Sequence, residues 1–469
     1  MFEDVSLPLI VSLKLKEERT MARQMVSRRD FLRFSAITAA GALAAACTPM
    51  APPAAGPAAA PVQKVSIVYW NYMTDMEQIE SGILDAFNSS SADLTVKYEF
   101  VPWQQYWEKL NATLAAGNPP DVWNTAPTFF FEYILRKQLA DLTDLIKQNL
   151  DFTDFYETAL SGYDLVGKYY GVPRNIVTTV IFFNKDLFNE AGVEPPPLDG
   201  NWTWDDFLAK AKAVAKDTDG DGKMDVWGTE ALQSSWWLDE MIMGNGGEIF
   251  KGEFRRDLVG MTANYDSPEA CGTYKFFADL INTHKVAYPA GEFEGMGEPF
   301  MTGRLGMRFS LNWLALQAKE APFDWDLTTV PKGTVDQLTY GGADGLVVSQ
   351  ATKDLSSCWK LIEWLIDPKT GEAFLKQSGA MPVTRSYAES DAYLGTFPGK
   401  NLRAFLKSAE IARNTFTLGF SQWKKVLQDE LDQAFLGQKP VEQMCVDANK
   451  AVNAAIERIR TSFAEALGQ

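Results

Sequence analysis

The stretch KVSIVYWNYMTDMEQIESGILDAFNSSSADLTVKYEFV, residues 64–101, decides the fold. Its two ends, KVSIVYW (64–70) and LTVKYEFV (94–101), are β-branched and aromatic runs of strand length. Between them MEQIESGILDAFNSS (76–90) carries apolar residues at helical spacing. The order continues outward with a helical QQYWEKLNATLAAG (104–117) and a strand, PPDVWNT (119–125), leaving a turn. Strand, helix, strand, helix, strand predicts an α/β fold with parallel strands joined by right-handed crossovers.

Toward the N-terminus, SRRDFLRFSAITAAGALAAAC pairs Arg28 with Arg29, continues in an apolar run from Phe34 to Ala46 too short to span a membrane, and ends at Cys47. Residues 1–47 therefore read as a twin-arginine export signal ending at a lipidation cysteine. The residues before Met25 add nothing to such a signal, so Met21 and Met25 are alternative starts. Leu43 lies one residue further from Cys47 than the usual lipobox places it, which keeps ordinary cleavage after the alanines open. Residues 48–62, Pro/Ala-rich, read as a tether. The expected location is the outer face of the cytoplasmic membrane, with membrane attachment through a lipid anchor only.

The remaining chain of about 400 residues exceeds one core, so two domains are expected. A formal charge of −17 opposes nucleic acid and acidic membrane surfaces as partners. The single histidine, His284, excludes multi-histidine zinc sites and reads as the end of a helix. Cys271, Cys358 and Cys445 show no disulfide framework and read as buried small hydrophobes. No glycine-rich phosphate loop with its lysine occurs.

Further along, NWTWDDFLAKAKAVAK (201–216) opens with Thr203 and Asp206 at capping-box spacing and runs straight into DTDGDGKMDVWG (217–228). Asp217, Asp219, Asp221, the Lys223 carbonyl and Asp225 stand at calcium-loop spacing, and Gly222 allows the turn. Gly228 occupies the twelfth position, where a sensor carries a bidentate Glu, and there is no second such loop. The expectation is a structural calcium ion; the alternative is a metal-free Asp/Gly turn.

Five segments in order, YYGVPRNIVTTVIFFNKDLFNEAGVEPP (169–196), WTWDDFLAKAKAVAKDTDGDG (202–222), PFMTGRLGMRFSLNW (299–313), YGGADGLVVS (340–349) and GAMPVTRS (379–386), resemble the landmarks of the family 1 extracellular solute-binding proteins, the maltose-binding-protein-like group. The resemblance implies a two-lobed periplasmic-binding-protein clamshell, each lobe a mainly parallel sheet flanked by helices, delivering solute to the permease subunits of an ABC importer as a monomer. It implies three crossings, near Pro173, Pro331 and Pro382, giving an N-lobe of residues 63–174 and 332–382 and a C-lobe of 175–331 and 383–469.

A sugar site wants aromatic faces beside planar polar groups. The positions where this family places its cleft are Trp70 and Asn71, Asn124 and Thr125, Arg174 and Asn175, Trp236 and Trp237, Asn312 and Trp313, Gly342 and Asp344, Arg385, and Trp423. Trp364 reads as core, and Asn184 as structural. A phosphate ester would need more cations than Arg174 and Arg385. An exported carbohydrate-active enzyme with an acidic pair is the competing class.

Overall fold

The computed structural model describes residues 64–165 and 167–464. The signal, Cys47 and the tether lie outside the described residues. The opening stretch folds as β1 (Val65–Asn71), α1 (Glu77–Ser90) and β2 (Leu94–Phe100), followed by α2 (Trp103–Ala115) and β3 (Val122–Thr125). β1 is parallel to both β2 and β3. Seven further strands join them: β4 (Gly171–Asn184), β5 (Trp227–Thr229), β6 (Leu305–Leu311), β7 (Trp325–Thr328), β8 (Thr339–Val348), β9 (Met381–Pro382) and β10 (Ala412–Arg413). The path runs β2-β1-β3-β8-β4-β6-β5, with β7 and β9 also on β4 and β10 on β8.

β4 holds the two lobes together. Its 14 residues are almost all buried, as a near-continuous apolar run covered on both faces requires. Gly171 to Thr178 pair with β8, whereas Thr179 to Asn184 pair with β6 and β7. β4 and β8 run antiparallel to each other, as a chain that leaves a lobe and returns requires, and β8 is antiparallel to β3 but parallel to β10. The sheet is thus mixed: parallel in β2-β1-β3 and β6-β5, antiparallel where it crosses.

The register of β4 against β8 shifts between Asp344 and Gly345, so that Asp344 faces Asn175 and Gly345 faces Pro173. Arg174 is the extra residue of this bulge, beside a proline that offers no N–H to the ladder. Gly345 is required there: a Cβ would stand 2.5 Å from the Tyr163 ring and 2.8 Å from the Val172 carbonyl oxygen.

The crossing expected near Pro331 comes later. Lys332 N still bonds the Trp202 carbonyl, and Val335 and Asp336 bond that of Gly244. The chain therefore leaves the C-lobe only as β8 begins. β9, at Pro382, pairs with Asn175 and Ile176 beside the bulge.

Around the sheet stand α3 (Pro127–Leu135), α4 (Trp204–Val214), α5 (Asp239–Gly244), α6 (Pro268–Asn282), α7 (Leu355–Ile366), α8 (Pro368–Ser378), α9 (Phe420–Phe435) and α10 (Val441–Ser462). The capping box at the start of α4 forms, with Thr203 and Asp206 bonded reciprocally. Asn184 caps the following helix, accepting from Asp186 and Leu187, which is a structural task. Trp364 packs on the N-lobe core and donates to the Ile83 carbonyl. His284 lies just past α6. One cysteine expectation is corrected: Cys271 of α6 and Cys445 of α10 form a disulfide, their Cα atoms 5.9 Å apart. They are 174 residues apart in the chain, and only helix packing brings them together. Cys358 is free and buried.

Candidate functional site

Between the lobes lies a cavity of about 490 Å³, within the range of small-molecule sites. Its N-lobe wall comes from the segments that leave the strands at their carboxyl ends: Tyr72, Met73, Asp75 and Met76 after β1, Trp103 after β2, Ala126, Pro127 and Thr128 after β3, together with Phe374, Ser378 and Ala380. Asn175, Val177 and Asp344 form the floor at the crossing. The C-lobe wall is Ser234, Trp236, Trp237, Leu311, Asn312, Trp313 and Tyr340.

Aromatic faces dominate both walls. Trp103 is 38% exposed and Trp313 36% exposed, unusual for tryptophans in a molecule with this much core. Tyr72 stands edge-on to Trp103, ring centroids 4.9 Å apart at 84°, and Trp237 lies 6.3 Å from Tyr340.

The bulge explains the floor. It turns Asn175 and Asp344 together: Asn175 Nδ2 donates to one Asp344 carboxylate oxygen at 3.0 Å, and the Tyr72 hydroxyl donates to the other at 2.5 Å. Burial pushes the Asp344 carboxyl up to about 6, against those two hydrogen bonds and the pull of Arg174. Asn175 Oδ1, Asn312 Oδ1 and Thr128 Oγ1 are buried without a hydrogen-bond partner among the described residues. Buried polar atoms are rarely left so, and these three belong to residues that line the cavity.

Of the residues expected at a ligand, Asn175, Trp236, Trp237, Asn312, Trp313 and Asp344 line this cavity. The others do not, each for a visible reason. Trp423 is fully buried, its Nε1 donating to Thr417 Oγ1 at 3.0 Å. Trp70 is buried at the end of β1 under Lys109, whose ammonium lies 4.6 Å from the ring centroid. Asn71 and Asn124 bond each other behind the wall, and Asn71 also donates to Glu80. Thr125 is fully buried. Arg174, turned inward by the bulge, pairs with buried Glu80 at 3.0 Å and lies over Phe374. A Cβ on Gly342 would stand 3.0 Å from Phe416 and 3.2 Å from Pro127, so that backbone packs behind the lining. Arg385 pairs with Glu410 on the surface and lies over Tyr156.

Tyr72, Asp75, Trp103, Tyr340 and Phe374 were missed. For Tyr72, Asp75 and Trp103 a signal was present: ligands of open α/β sheets bind beyond the carboxyl ends of strands. The last strand residues themselves remain tied into the sheet.

In the acidic loop, Asp217, Asp219 and Asp225 bring carboxylate oxygens within 4.8 Å of one another. Asp217 accepts the Gly220 and Gly222 amides, and Asp225 accepts Thr218. Asp221 stands outside this group and accepts the Lys223 amide. Three converging hard oxygens suit calcium chemically.

The family model of the bacterial extracellular solute-binding proteins matches residues 70–372, and the chain belongs to that family. It is similar to the arabinooligosaccharide-binding protein of Bacillus subtilis (strain 168), with 31% identity over 289 residues, 57% of this chain and 66% of that one. The diacetylchitobiose binding protein of Streptomyces coelicolor is 27% identical over 298 residues, 61% of this chain and 66% of that one. A solved ABC substrate-binding protein of Listeria monocytogenes in complex with cycloalternan shares the fold at a TM-score of 0.74 and 23% identity, covering 84% of this chain and 100% of that one. Family and neighbours are binding proteins, and the family is an extracellular one.

Proposed function

We propose that this protein captures a neutral oligosaccharide between its lobes and delivers it to the permease of an ABC importer, leaving the sugar unchanged. The observation that carries the reading is the cavity lining: aromatic faces on both walls, unpartnered amide and hydroxyl oxygens, and, among the described residues, no lysine, arginine or histidine. C–H patches of a sugar stack on indole, and its hydroxyls donate to Asn175, Asn312 and Asp344. A phosphorylated ligand would meet Asp75 and Asp344 with no cation among the described lining residues to receive it. A ligand touching both walls favours closure by the sum of those contacts, with the β4, β8 and β9 crossings as hinge. The kinship with oligosaccharide-binding relatives points the same way.

A thermal-shift panel of maltotriose, diacetylchitobiose, arabinotriose, sn-glycerol 3-phosphate and spermidine tests this. One of the sugars raises the melting temperature, with a dissociation constant on the order of micromolar, and is recovered intact. Stabilisation by the phosphate or the polyamine alone contradicts the reading. So does a cleavage product lost in Asp75→Asn or Asp344→Asn.

The export signal and Cys47 support a lipid-anchored protein on the outer face of the cytoplasmic membrane, working as a monomer. Cys47→Ala releases it from the membrane fraction; a variant that stays bound contradicts the anchor. The loop at Asp217, Asp219 and Asp225 holds a structural calcium ion in this reading.

A further inference from the structure

The segment that carries two of the cavity tryptophans, residues 233–238, has no strand or helix of its own. Its backbone is held instead by one face of α9. Gln428 Oε1 accepts the Ser235 amide at 2.7 Å, and Gln428 Nε2 donates to the Gln233 carbonyl at 2.8 Å. One turn earlier, Lys424 Nζ donates to the Ser235 carbonyl at 2.5 Å, and Ser235 Oγ donates to the Lys424 carbonyl at 3.1 Å. Residues four apart share a helix face, so Lys424 and Gln428 grip the segment together.

Lys424 is an expensive device. It is fully buried, with its ammonium 2.6 Å from a fully buried Asp239 carboxylate oxygen. Its nitrogen also lies 5.0, 5.6 and 5.8 Å from the ring centroids of Trp423, Phe420 and Tyr265. Asp239 opens α5 directly after the tryptophan segment, so the same ammonium ties both the middle and the end of that segment. Desolvating two charges is compensated only when the geometry is tight and the hydrogens are used.

We propose that Lys424 and Gln428 are positioning residues for ligand binding, fixing the backbone of residues 233–235 so that the Trp236 and Trp237 rings stand preorganised on the C-lobe wall. Neither lines the cavity, and their effect reaches the ligand through the two rings. The inference rests on the cleft reading proposed above.

The test uses Gln428→Ala, which removes both Gln428 bonds to the segment along with its bond to the exposed Asp432 carboxylate on the same helix, and Lys424→Met, each alone and combined with Trp236→Ala/Trp237→Ala. Affinity is read with whichever of maltotriose, diacetylchitobiose or arabinotriose stabilises the wild type most, and amide hydrogen exchange is followed at Ser235. Gln428→Ala weakens binding roughly fivefold, about the equivalent of one hydrogen bond. It speeds exchange at Ser235 and leaves the melting temperature near wild type. In the background lacking both tryptophans it causes no further loss of affinity, because its route to the ligand is gone. The same fold-loss in that background, or unchanged exchange at Ser235, overturns the proposal. If Lys424→Met does not fold, the Gln428 series decides alone. If the wild type binds none of the three sugars, the ligand reading fails and Ser235 exchange still judges the clamp: faster exchange supports it, unchanged exchange refutes it.

Discussion

The two walls of the cleft present similar chemistry on different supports. On the N-lobe side, Tyr72 follows β1 and Trp103 opens α2 just beyond β2; Trp103 stands edge-on to both Tyr72 and Trp107, and Tyr72 lies tilted against Trp107, with centroids 4.9 to 5.6 Å apart. Behind them a buried network joins Glu80 to Tyr69, Asn71 and Arg174. On the C-lobe side, Trp236 and Trp237 sit on an irregular segment, held by side chains of a helix more than 180 residues away in the chain. A wall built on strand ends inherits its rigidity from the sheet. Leu311, Asn312 and Trp313 of the C-lobe wall also stand at a strand end, that of β6, but the loop that carries Trp236 and Trp237 must be given rigidity by specific polar bonds, and it is the part that single substitutions loosen most readily.

The contrast predicts a graded set of outcomes. The largest effect belongs to Trp423→Ala, which empties the fully buried site beneath the C-lobe wall. It destabilises by about 3–5 kcal/mol in chemical denaturation, whereas Trp103→Ala on the opposite wall, 38% exposed, leaves stability close to wild type. Equal losses would erase the distinction between support and lining.

Next comes the floor that the walls share. Asp344 has its carboxyl raised by burial to about 6, above the unfolded range near 4. A raised carboxyl contributes stability that is full below the unfolded value and is lost as pH rises through the folded one. Against Asp344→Asn as reference, the wild type therefore loses on the order of 2 kcal/mol between pH 4 and pH 7. Parallel pH profiles for the two proteins would show that the carboxyl is not buried as described.

The smallest effect concerns the C-lobe surface. Calcium at about ten times its dissociation constant adds about 1.4 kcal/mol, so chelation lowers the melting temperature by a few degrees while sugar affinity stays within a few-fold. Loss of sugar binding in chelated but folded protein would put the ion at the cleft.

Much of this was legible from periodicity and order. The 64–125 stretch declared its parallel β1, β2 and β3, and Thr203 with Asp206 declared the start of α4. The site was legible by segment and less so by residue. In FSQWKKV, Trp423 faces the core rather than the cavity, and Lys424 beside it bonds the tryptophan segment. A tryptophan has the same chemistry in a core as in a cleft, so spacing alone does not separate them. Arg174 turned away because of a bulge, whose one local sign, Pro173 within the strand, does not say which way the neighbouring side chain turns. The Cys271–Cys445 bond was hidden because its partners lie on two helices whose packing is decided by the whole C-lobe. The crossing near Pro331 slipped toward β8 because a proline marks an irregular segment without saying which lobe keeps it.

The central claim, that aromatic faces on both walls stack on a bound sugar, is tested most directly by calorimetric titration of the wild type, Trp103→Ala and Trp313→Ala with the sugar chosen by the thermal-shift panel. The two residues stand on opposite walls, so a ligand held between them depends on both. The account predicts micromolar binding to the wild type and at least tenfold weaker binding to each variant, about 1.4 kcal/mol or more, with melting temperatures unchanged. Wild-type affinity in both folded variants would contradict it.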